Sequence, residues 1–543
     1  MVQYNPDNTL FIEDKNNDYY VDKTFVIEFF NHKIGSSDKK FCVTRPRRMG
    51  KSFLVNILTA YYSVGCDSRE AFSDLKIAQT PDWDKYLNKF NVININLKMV
   101  CKDVLDINND IESFNEYNCE NKRPKIKFKN YLKESVNEEL IKKYPDLGIE
   151  PDDFVRKSIL KIYEKTNQQF VIIIDEYDSI VRDEFDDDAI SGYLNFLIDI
   201  FKNPMIDKAI AFGYLTGILP IPAGLGFSDI NNVRLSSMLN GYNMRDFIGF
   251  TEDEVKELCI KHNRKPLFNE LKEWYNGYLI DNMPIYNTNS VIEALINNKC
   301  DNYWEKQTEF EAIPYYINMD INGMQESIEK LYYEEFIPVH KGAFNNRING
   351  IKKSLDSTLV YLIHAGYLTL VKIDNTSYCK IPNSEVKDEW FLAVYNSVKF
   401  ESVKEHIMKS KELLEKIRNK DAEYVVNYFQ NQIDYKRINR PDSHRMFQNI
   451  VLYELISCKD FYNITPEAAT GDGNIDLMYD NGKNGYPTLL IELKFNESVE
   501  KAMKQIEEKR YGLNHKQEKG NILKIGMNYD SNKKEYTCII EDY

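Results

Sequence analysis

The sequence predicts an α/β protein in three parts: an N-terminal domain built on a parallel sheet, a helical and winged-helix-like middle region, and a smaller C-terminal α/β domain. Two apolar runs in the N-terminal part end in polar residues, and a C-terminal hairpin pattern brings carboxylates and a lysine together. These three segments are residues 41–53, 170–178 and 470–494. Short apolar runs bounded by polar turns are typical of strands buried on both faces of a parallel sheet.

The length and charge of the chain limit its organisation. At 543 residues and 63.9 kDa it is too long for one hydrophobic core. We expect boundaries that give domains over residues 1–225, 226–435 and 436–543. The net charge of −14 and the pI near 5.3 argue against non-specific nucleic-acid binding by the whole surface. Any contact with nucleic acid must therefore be local.

Cysteine usage and hydropathy indicate the compartment. The nine cysteines are scattered, without a C-x-x-C pair or a neighbouring histidine pattern. This usage predicts reduced thiols and no zinc site. No apolar run approaches the roughly 20 residues that a membrane span needs, and the first residues lack the apolar stretch of a signal peptide. We therefore expect a cytoplasmic protein without a membrane partner.

Residues 41–53 (FCVTRPRRMGKSF) have the order of a P-loop: a strand over 41–43, a loop over 45–49 and a helix over 52–62. Lys51 supplies a positive charge for the β- and γ-phosphates, and the Ser52 hydroxyl can enter a Mg²⁺ shell. The pattern G-x-x-x-x-G-K-[ST] departs at its first glycine, where Arg45 stands. The alternative is a basic turn between two core elements. The residues predicted to contact nucleotide here are Arg48, Met49, Gly50, Lys51, Ser52 and Phe53.

Three further segments lie outside this loop, and two of them have alternative roles. Lys23 and Thr24 either cap a helix over residues 25–31 or lie beside the base or sugar of a nucleotide. Residues 91–97 (NVININL) read as a second strand. Residues 121–133 interleave six basic side chains with apolar and aromatic ones, which suits nucleic-acid binding. A solvated edge or loop is the favoured interpretation of that segment.

The second strong signal is FVIIIDEYD at residues 170–178. Its apolar run predicts a buried strand, and Asp175-Glu176 falls at the strand end, where open α/β sheets bind ligands. Asp175 would hold Mg²⁺ and Glu176 would polarise the attacking water, as in a Walker B element. Residues 209–217 read as the next strand. Thr216 at its end either senses the γ-phosphate or is a plain strand-end hydroxyl.

With these residues in view, the chain resembles the AAA-ATPase-like proteins that carry a C-terminal PD-(D/E)XK nuclease domain. The segments that carry the resemblance are YVDKT at 20–24, RPRRMGKS at 45–52, DEYD at 175–178, Thr216-Gly217, GFTEDE at 249–254, WYNGY at 274–278 and Tyr286-Asn287. The resemblance implies ATP as the nucleotide. Because RPRR-x-GKS is typical of the family, it also accounts for Arg45 in place of glycine.

The middle region predicts helices at residues 251–262 and 267–275, followed by a WYNGY turn that is either a packing corner or part of a nucleotide lid. Arg234 and Arg245 are candidates for an arginine finger. A helix over Leu355–Ala365 followed by a hairpin is a winged-helix pattern. A charged helical connector at 402–430 leads to a linker at 434–441.

The last hundred residues hold a second set of chemical groups. Strands entered at Asp476 and over residues 488–494 would form a hairpin, and period-2 geometry puts Glu492 and Lys494 on one face. Two carboxylates can bind Mg²⁺, while a lysine orients or deprotonates a water for attack on a phosphodiester. A helix over 499–511 presents Gln505. The alternative is a surface salt-bridge cluster, and Glu454 on the preceding helix is a further ligand candidate.

This part resembles the PD-(D/E)XK core. Asp476, Glu492 and Lys494 match its three motif positions, and Gln505 matches the glutamine often found on the next helix. Relatives commonly read G-x-G-R-x-D here, whereas this chain has Asn474 in place of the arginine. Residues 441–543 carry 13 Lys plus Arg and 17 Asp plus Glu, so this domain has no basic footprint for DNA.

Three classes of function follow from these features. The leading hypothesis is a protein that binds and hydrolyses ATP and carries a coupled Mg²⁺-dependent nuclease activity. Its substrate would be nucleic acid, with DNA favoured over RNA. The second is an ATPase switch whose C-terminal domain binds nucleic acid or a protein without cleavage. The third is a nucleotide-binding scaffold without turnover, favoured if Arg45 occludes the loop. The sequence leaves the oligomeric state open, a homo-oligomer included.

Overall fold

The computed structural model describes residues 1–117, 125–182, 185–220, 233–304, 313, 321–332, 336–343, 354–374, 376–396, 401–434, 441, 443–455, 457–458, 461–470, 472–480, 486–511 and 522–543. The chain divides into two compact units, Met1–Ala393 and Val394–Tyr543. The three-part division predicted above stays a prediction. Of its linker at 434–441, residues 435–440 lie outside the described residues.

A six-stranded sheet forms the centre of the first unit. Its strands are β1 (Val2–Tyr4), β2 (Lys40–Thr44), β3 (Asn91–Asn96), β4 (Phe170–Asp175), β5 (Ile210–Gly217) and β6 (Val233–Ser236). The order is β1-β3-β4-β5-β2-β6, with β1 antiparallel to β3 and every other pair parallel. The carboxyl ends of β2, β4 and β5 therefore meet at one edge of the sheet, where both predicted phosphate-binding segments begin.

Helices cover this sheet and build the rest of the unit. They are α1 (Thr9–Lys15), α2 (Val26–Asn31), α3 (Lys51–Tyr62), α4 (Arg69–Phe72), α5 (Leu97–Tyr117), α6 (Phe128–Lys143), α7 (Val155–Thr166), α8 (Ser179–Arg182), α9 (Asp187–Phe201), α10 (Pro204–Asp207), α11 (Glu252–Lys261), α12 (Phe268–Tyr275), α13 (Thr288–Asn297), α14 (Met324–Tyr332), α15 (Leu355–Ala365) and α16 (Ser384–Asn396). Every residue of β4 is buried, as its continuous apolar run predicts. The parallel-sheet prediction is thereby confirmed.

The favoured interpretation of residues 121–133 as a solvated edge or loop is wrong for their C-terminal part, which is helical. Residues 121–124 lie outside the described residues, and Phe128 begins the 16-residue helix α6. Phe128 and Leu132 are buried in the core against the sheet, four residues apart on one helical face. The aromatic and apolar members thus serve packing, while the lysines remain at the helix surface.

A two-stranded sheet and a three-stranded sheet also belong to the first unit. The strands are β7 (Tyr278–Ile280), β8 (Met283–Ile285), β9 (Ile337–Pro338), β10 (Thr369–Ile373) and β11 (Thr376–Lys380). A capping box opens α11: the Thr251 side chain accepts from the Glu254 N–H, and the Glu254 side chain accepts from the Thr251 N–H. Helix α15 is followed by the antiparallel β10–β11 pair, the helix-then-hairpin order that the sequence predicts.

The second unit has a five-stranded mixed sheet. Its helices are α17 (Glu401–Arg418), α18 (Ala422–Asp434), α19 (His444–Glu454) and α20 (Val499–Glu508), and its strands are β12 (Asn463–Thr470), β13 (Gly473–Asp480), β14 (Thr488–Phe495), β15 (Ile522–Asp530) and β16 (Glu535–Asp542). The order is β12-β13-β14-β15-β16, and only the β14–β15 pair, which α20 connects, is parallel. The predicted hairpin is therefore β13–β14, at the centre of this sheet.

Two further expectations concern the whole chain. The eight described cysteines are free thiols. Among the described residues, no helix combines the length and the apolar character that crossing a bilayer requires. The cellular location stays a prediction.

The WYNGY turn generates a stability prediction. Gly277 has a φ of +99°, and a Cβ built on it would lie 2.0 Å from the Pro382 carbonyl oxygen. Gly277→Ala should therefore lower the free energy of unfolding by about 3 kcal/mol, through left-handed strain and a backbone clash together. Gly35 is the matched control, because it has a φ of +80° but open space around its Cβ position. Gly35→Ala should cost only about 1 kcal/mol by denaturant titration, and equal losses would contradict the packing argument.

Candidate functional site

A cavity of about 310 Å³ opens at the carboxyl edge of the first sheet. Its walls carry five cationic side chains and one carboxylate. The lining residues are Arg47, Arg48, Gly50, Lys51, Ser52, Phe53, Lys98, Glu176 and Arg182. Such an excess of positive charge in a concave site suits a polyphosphate. Five of the six loop residues predicted to bind nucleotide line this cavity, and the sixth, Met49, is fully buried.

The loop leads directly into helix α3. Gly50 takes the N-cap position with a φ of +86°, and α3 begins at Lys51. The first N–H groups of a helix have no partner within it, so they offer donors and partial positive charge to a phosphate. The buried Lys51 ammonium donates to the Pro46 carbonyl at 3.0 Å and lies 3.9 Å from the Glu176 carboxylate. Burial lowers the pKa of Lys51, and the nearby carboxylates partly oppose this shift.

Ser52 and Asp175 form a second contact between the loop and β4. The Ser52 hydroxyl donates to the Asp175 carboxylate at 2.8 Å, and Asp175 is almost fully buried. Burial raises the pKa of Asp175, with a smaller contribution from Glu176. An oxygen pair of this kind, hydroxyl beside carboxylate, fits the hard oxygen ligands that Mg²⁺ takes next to nucleotide phosphates. The Mg²⁺ assignment of Ser52 and Asp175 thus has a fitting donor set.

Glu176 is held by two cations. It has a left-handed φ of +51°, and its carboxylate accepts a hydrogen bond from Arg182 on α8. Although burial opposes it, the charges of Lys51 and Arg182 hold the pKa of Glu176 below its ordinary value. The sequence motifs did not indicate Arg182. The available signal was the i,i+4 spacing of Asp178 and Arg182, whose charged groups lie 3.0 Å apart.

Arg45 points away from the cavity. Its guanidinium is fully buried, donating to the Thr44 carbonyl at 2.8 Å and to the Ser236 hydroxyl at 3.0 Å. Burial lowers its pKa to about 10. Burial and the charge of Arg45 also lower the pKa of the buried His364 to about 3. Since Arg45 is not among the cavity-lining residues, its side chain leaves the loop open to a ligand.

The middle region fixes the P-loop backbone. The Met49 carbonyl accepts from the Gly249 N–H at 2.8 Å, and the Arg48 carbonyl accepts from the Thr288 hydroxyl at 2.7 Å. The Arg48 guanidinium donates to the Tyr303 carbonyl at 2.9 Å. Two of the segments that carry the family resemblance, GFTEDE and Tyr286-Asn287, therefore contact the loop or lie next to a residue that does.

The other candidates in this unit have structural partners. The fully buried Thr216 hydroxyl donates to the Val43 carbonyl at 2.9 Å, and Thr216 does not line the cavity. Lys23 pairs with Glu254 at 2.6 Å. Arg234 pairs with Asp38 and Arg245 with Asp246, both on exposed surface. The roles predicted for these residues toward nucleotide stay predictions.

The second site lies on the β13–β14 hairpin. Leu477 pairs with Ile491 in an antiparallel register, so Asp476, which precedes Leu477, and Glu492, which follows Ile491, lie at the same level. The Lys494 ammonium donates to Glu492 at 2.8 Å, and the Asp476 carboxylate accepts from the Leu493 N–H at 2.6 Å. The predicted residues Asp476, Glu492 and Lys494 are thereby brought together.

The buried Glu492 carboxylate has unsatisfied acceptor capacity. Glu492 is 2% exposed, and its second carboxylate oxygen has no hydrogen-bond donor among the described residues. Burial and the neighbouring Asp476 raise the pKa of Glu492 to about 7. A divalent cation would relieve both effects. No group of three or more His, Cys, Asp or Glu side chains able to hold a metal occurs within the described ranges. Mg²⁺, however, is commonly bound by one or two carboxylates with water and substrate phosphates.

A chain of hydrogen bonds fixes Lys494. The Gln505 carbonyl oxygen accepts from Lys494 at 2.9 Å, and its amide nitrogen donates to the Tyr511 hydroxyl at 3.1 Å. The Tyr511 hydroxyl in turn donates to the Asn474 backbone carbonyl at 2.7 Å. Asn474, which departs from the family pattern, therefore contributes its backbone carbonyl to this chain of hydrogen bonds.

Sequence analysis also missed His444 and Gln448 on α19. His444 lies 3.4 Å from the Asp476 carboxylate, and this contact raises its pKa. The Gln448 amide donates to the Asp476 carbonyl at 2.8 Å. The sequence predicts a helix here, but it does not predict that the helix faces Asp476. Glu454, proposed above as an extra ligand, instead accepts from Tyr428 at 2.6 Å and lies near His406.

Comparisons with known proteins assign two parts of the chain to families. Residues 11–224 match the family model described as predicted AAA-ATPase, and residues 445–537 match the PD-(D/E)XK nuclease superfamily. Both resemblances stated from sequence are thereby confirmed.

Two similar proteins can be named. An uncharacterized protein in the vnfD 5′ region of Azotobacter chroococcum mcd 1 is 22% identical over 300 residues, 53% of this chain and 50% of the relative. The chain thus spans about half the length of that relative. The ORC2 protein of Aeropyrum pernix, solved as ADPNP-ADP complexes, aligns with a TM-score of 0.30 and 11% identity over 69% of this chain and 94% of that one. This chain carries an AAA-ATPase-like domain at its N-terminal side and a PD-(D/E)XK nuclease superfamily domain at its C-terminal side.

Proposed function

We propose that the first unit binds and hydrolyses ATP with Mg²⁺. The observation that carries this proposal is the cavity with five cationic side chains and one carboxylate, lying at the start of α3. Lys51 and the first N–H groups of α3 would bind the phosphates. Ser52 and Asp175 would hold Mg²⁺, which neutralises charge on the β- and γ-phosphates. Glu176, kept ionised by neighbouring cations, would accept a hydrogen bond from the attacking water.

Two substitutions separate binding from turnover. Lys51→Ala should weaken ATP binding about 100-fold or more, because it removes the buried ammonium that would bind the phosphates. Glu176→Gln should bind ATP as well as wild type yet hydrolyse it about 100- to 10,000-fold more slowly. Nucleotide affinity from fluorescence titration and phosphate release measure the two quantities. Lys142→Ala, at an exposed lysine paired with Glu139, is the control. Wild-type hydrolysis by Lys51→Ala would refute the assignment of the loop.

We further propose that the second unit is a Mg²⁺-dependent phosphodiesterase acting on nucleic acid, DNA first. The observation that carries this proposal is the buried Glu492 oxygen beside Asp476, for which the described part of the chain offers no hydrogen-bond donor. Mg²⁺ held by these carboxylates would polarise the scissile phosphate. Lys494, oriented by Gln505, would position the attacking water and offset the charge that develops on the phosphate.

Metal titration distinguishes the roles in the second site. Asp476→Asn and Glu492→Gln should abolish cleavage or demand far more Mg²⁺, because they remove metal ligands. Lys494→Ala should saturate at the wild-type Mg²⁺ concentration yet cleave about 100- to 1,000-fold more slowly. All three should hydrolyse ATP normally.

Glu507→Gln is the matched control for this series, since Glu507 is an exposed carboxylate paired with Lys524 on the same unit. Cleavage by the carboxylate variants at the wild-type rate would reject the metal site. A wild-type chain that leaves DNA and RNA intact with Mg²⁺ or Mn²⁺ would instead favour the second hypothesis, an ATPase whose C-terminal domain binds without cutting. The acidic balance of residues 441–543 is the observation that favours that alternative.

The two activities share one chain, and we propose that nucleotide controls cleavage. Such control requires two arrangements of the protein that differ in ATP affinity. Cleavage rates of the intact chain should therefore differ between ATP, ADP and no nucleotide, and Lys51→Ala should abolish the difference. Equal rates in all three conditions would exclude coupling.

A further inference from the structure

Arg182 is a charged residue of the ATP cavity that lies outside the sequence motifs described above. It lies at the end of α8, and its side chain is 10% exposed. Its guanidinium contacts three groups of the segment that follows β4: it donates to the carboxylate of Glu176 and to the hydroxyl of Ser179, and it lies 3.0 Å from the carboxylate of Asp178. A planar guanidinium can serve several acceptors in a fixed geometry, which an ammonium cannot do.

Asp178 anchors this arrangement to the sheet. Its buried carboxylate accepts from the Ile218 and Leu219 N–H groups at 3.1 and 2.8 Å, directly after β5. A Cβ built on Gly217 would lie 2.2 Å from the Asp178 carboxylate, so glycine there permits the close approach. Arg182 is therefore fixed relative to the carboxyl ends of β4 and β5.

The contacts of Glu176 divide between its two carboxylate oxygens. One oxygen accepts from Arg182, and the other faces the Lys51 ammonium at 3.9 Å. A phosphate that binds Lys51 would compete for that ammonium and leave the second oxygen to a water. The first oxygen would stay on Arg182. The left-handed backbone of Glu176 is a strained conformation that such a side-chain anchor helps to hold.

We propose that Arg182 is a positioning residue for ATP hydrolysis, which holds one oxygen of Glu176 so that the other faces the attacking water. This inference rests on the proposed ATPase function and deepens it. Arg182 acts through Glu176, and its loss changes the rate of turnover rather than the affinity for ATP.

The test combines Arg182→Met, Arg182→Lys and Glu176→Gln in the full chain. Arg182→Met should lower kcat about tenfold to 100-fold, the penalty of misplacing a catalytic group, while KM and the Kd for a non-hydrolysable ATP analogue change less than about threefold. Arg182→Lys keeps the positive charge but lacks the planar set of donors of a guanidinium, so it should recover part of the ATP hydrolysis rate. In the Glu176→Gln background, Arg182→Met should change kcat less than about twofold, because the group it positions is absent.

Arg156→Met is the matched control, since the Arg156 side chain is 25% exposed and pairs with the Asp199 carboxylate outside the cavity. Unfolding temperatures of all variants, measured with and without the analogue, separate misfolding from misplacement.

Three results would overturn the inference while the ATPase proposal stands: a loss of analogue affinity at constant kcat, an equal loss of kcat in the Glu176→Gln background, or faster turnover in Arg182→Met. The first would make Arg182 a phosphate ligand, and the last would make it an inhibitory clamp. A wild-type chain that binds the analogue but never releases phosphate would overturn the proposed hydrolysis and this inference together.

Discussion

Burial of the Lys51 ammonium beside the carboxyl end of β4 is the interaction on which the first site depends. A buried cation is costly unless opposite charge and hydrogen bonds surround it, and here the Pro46 carbonyl and the Glu176 carboxylate provide both. The sheet order makes this contact available, because β5 alone separates β4 from β2. An incoming phosphate would exchange one anionic partner of Lys51 for another, so the interactions that stabilise the protein alone also prepare it for ligand.

In the second site, too, a buried charged group needs opposite charge and hydrogen bonds around it. Glu492 is buried on a central strand, where a lone carboxylate would be expensive, and Lys494 two residues along the same face compensates only one of its oxygens. The raised pKa of Glu492 expresses the remaining cost. Both sites therefore keep charged groups in surroundings that favour a further ion, which is the usual signature of metal or phosphate chemistry.

Much of this could be predicted from sequence, because the decisive signals are local. The apolar run before Asp175 and the two-residue spacing of Glu492 and Lys494 depend only on strand geometry. His444 could not be found in this way, since its contact with Asp476 depends on how α19 packs on the sheet. For Arg182 the i,i+4 spacing from Asp178 was a local signal, but that spacing does not reveal that the same guanidinium also contacts Glu176. The direction of the Arg45 side chain was likewise undetermined, because a loop pattern does not distinguish a guanidinium facing the ligand from one facing the core. Phe128 was misjudged since its basic neighbours hid a helical period.

Asn474 departs from the family motif in its side chain, whereas its contact with the site is made by its backbone carbonyl. The Tyr511 hydroxyl donates its only proton to the Asn474 backbone carbonyl, so toward Gln505 it can act only as an acceptor. The amide nitrogen of Gln505 must then face Tyr511, which turns its carbonyl oxygen toward Lys494. Every residue at position 474 supplies that backbone carbonyl. Asn474, at the position where the resemblance leads one to expect arginine, thus leaves the orientation of Lys494 intact, and its exposed side chain affects only contacts that a ligand would make there.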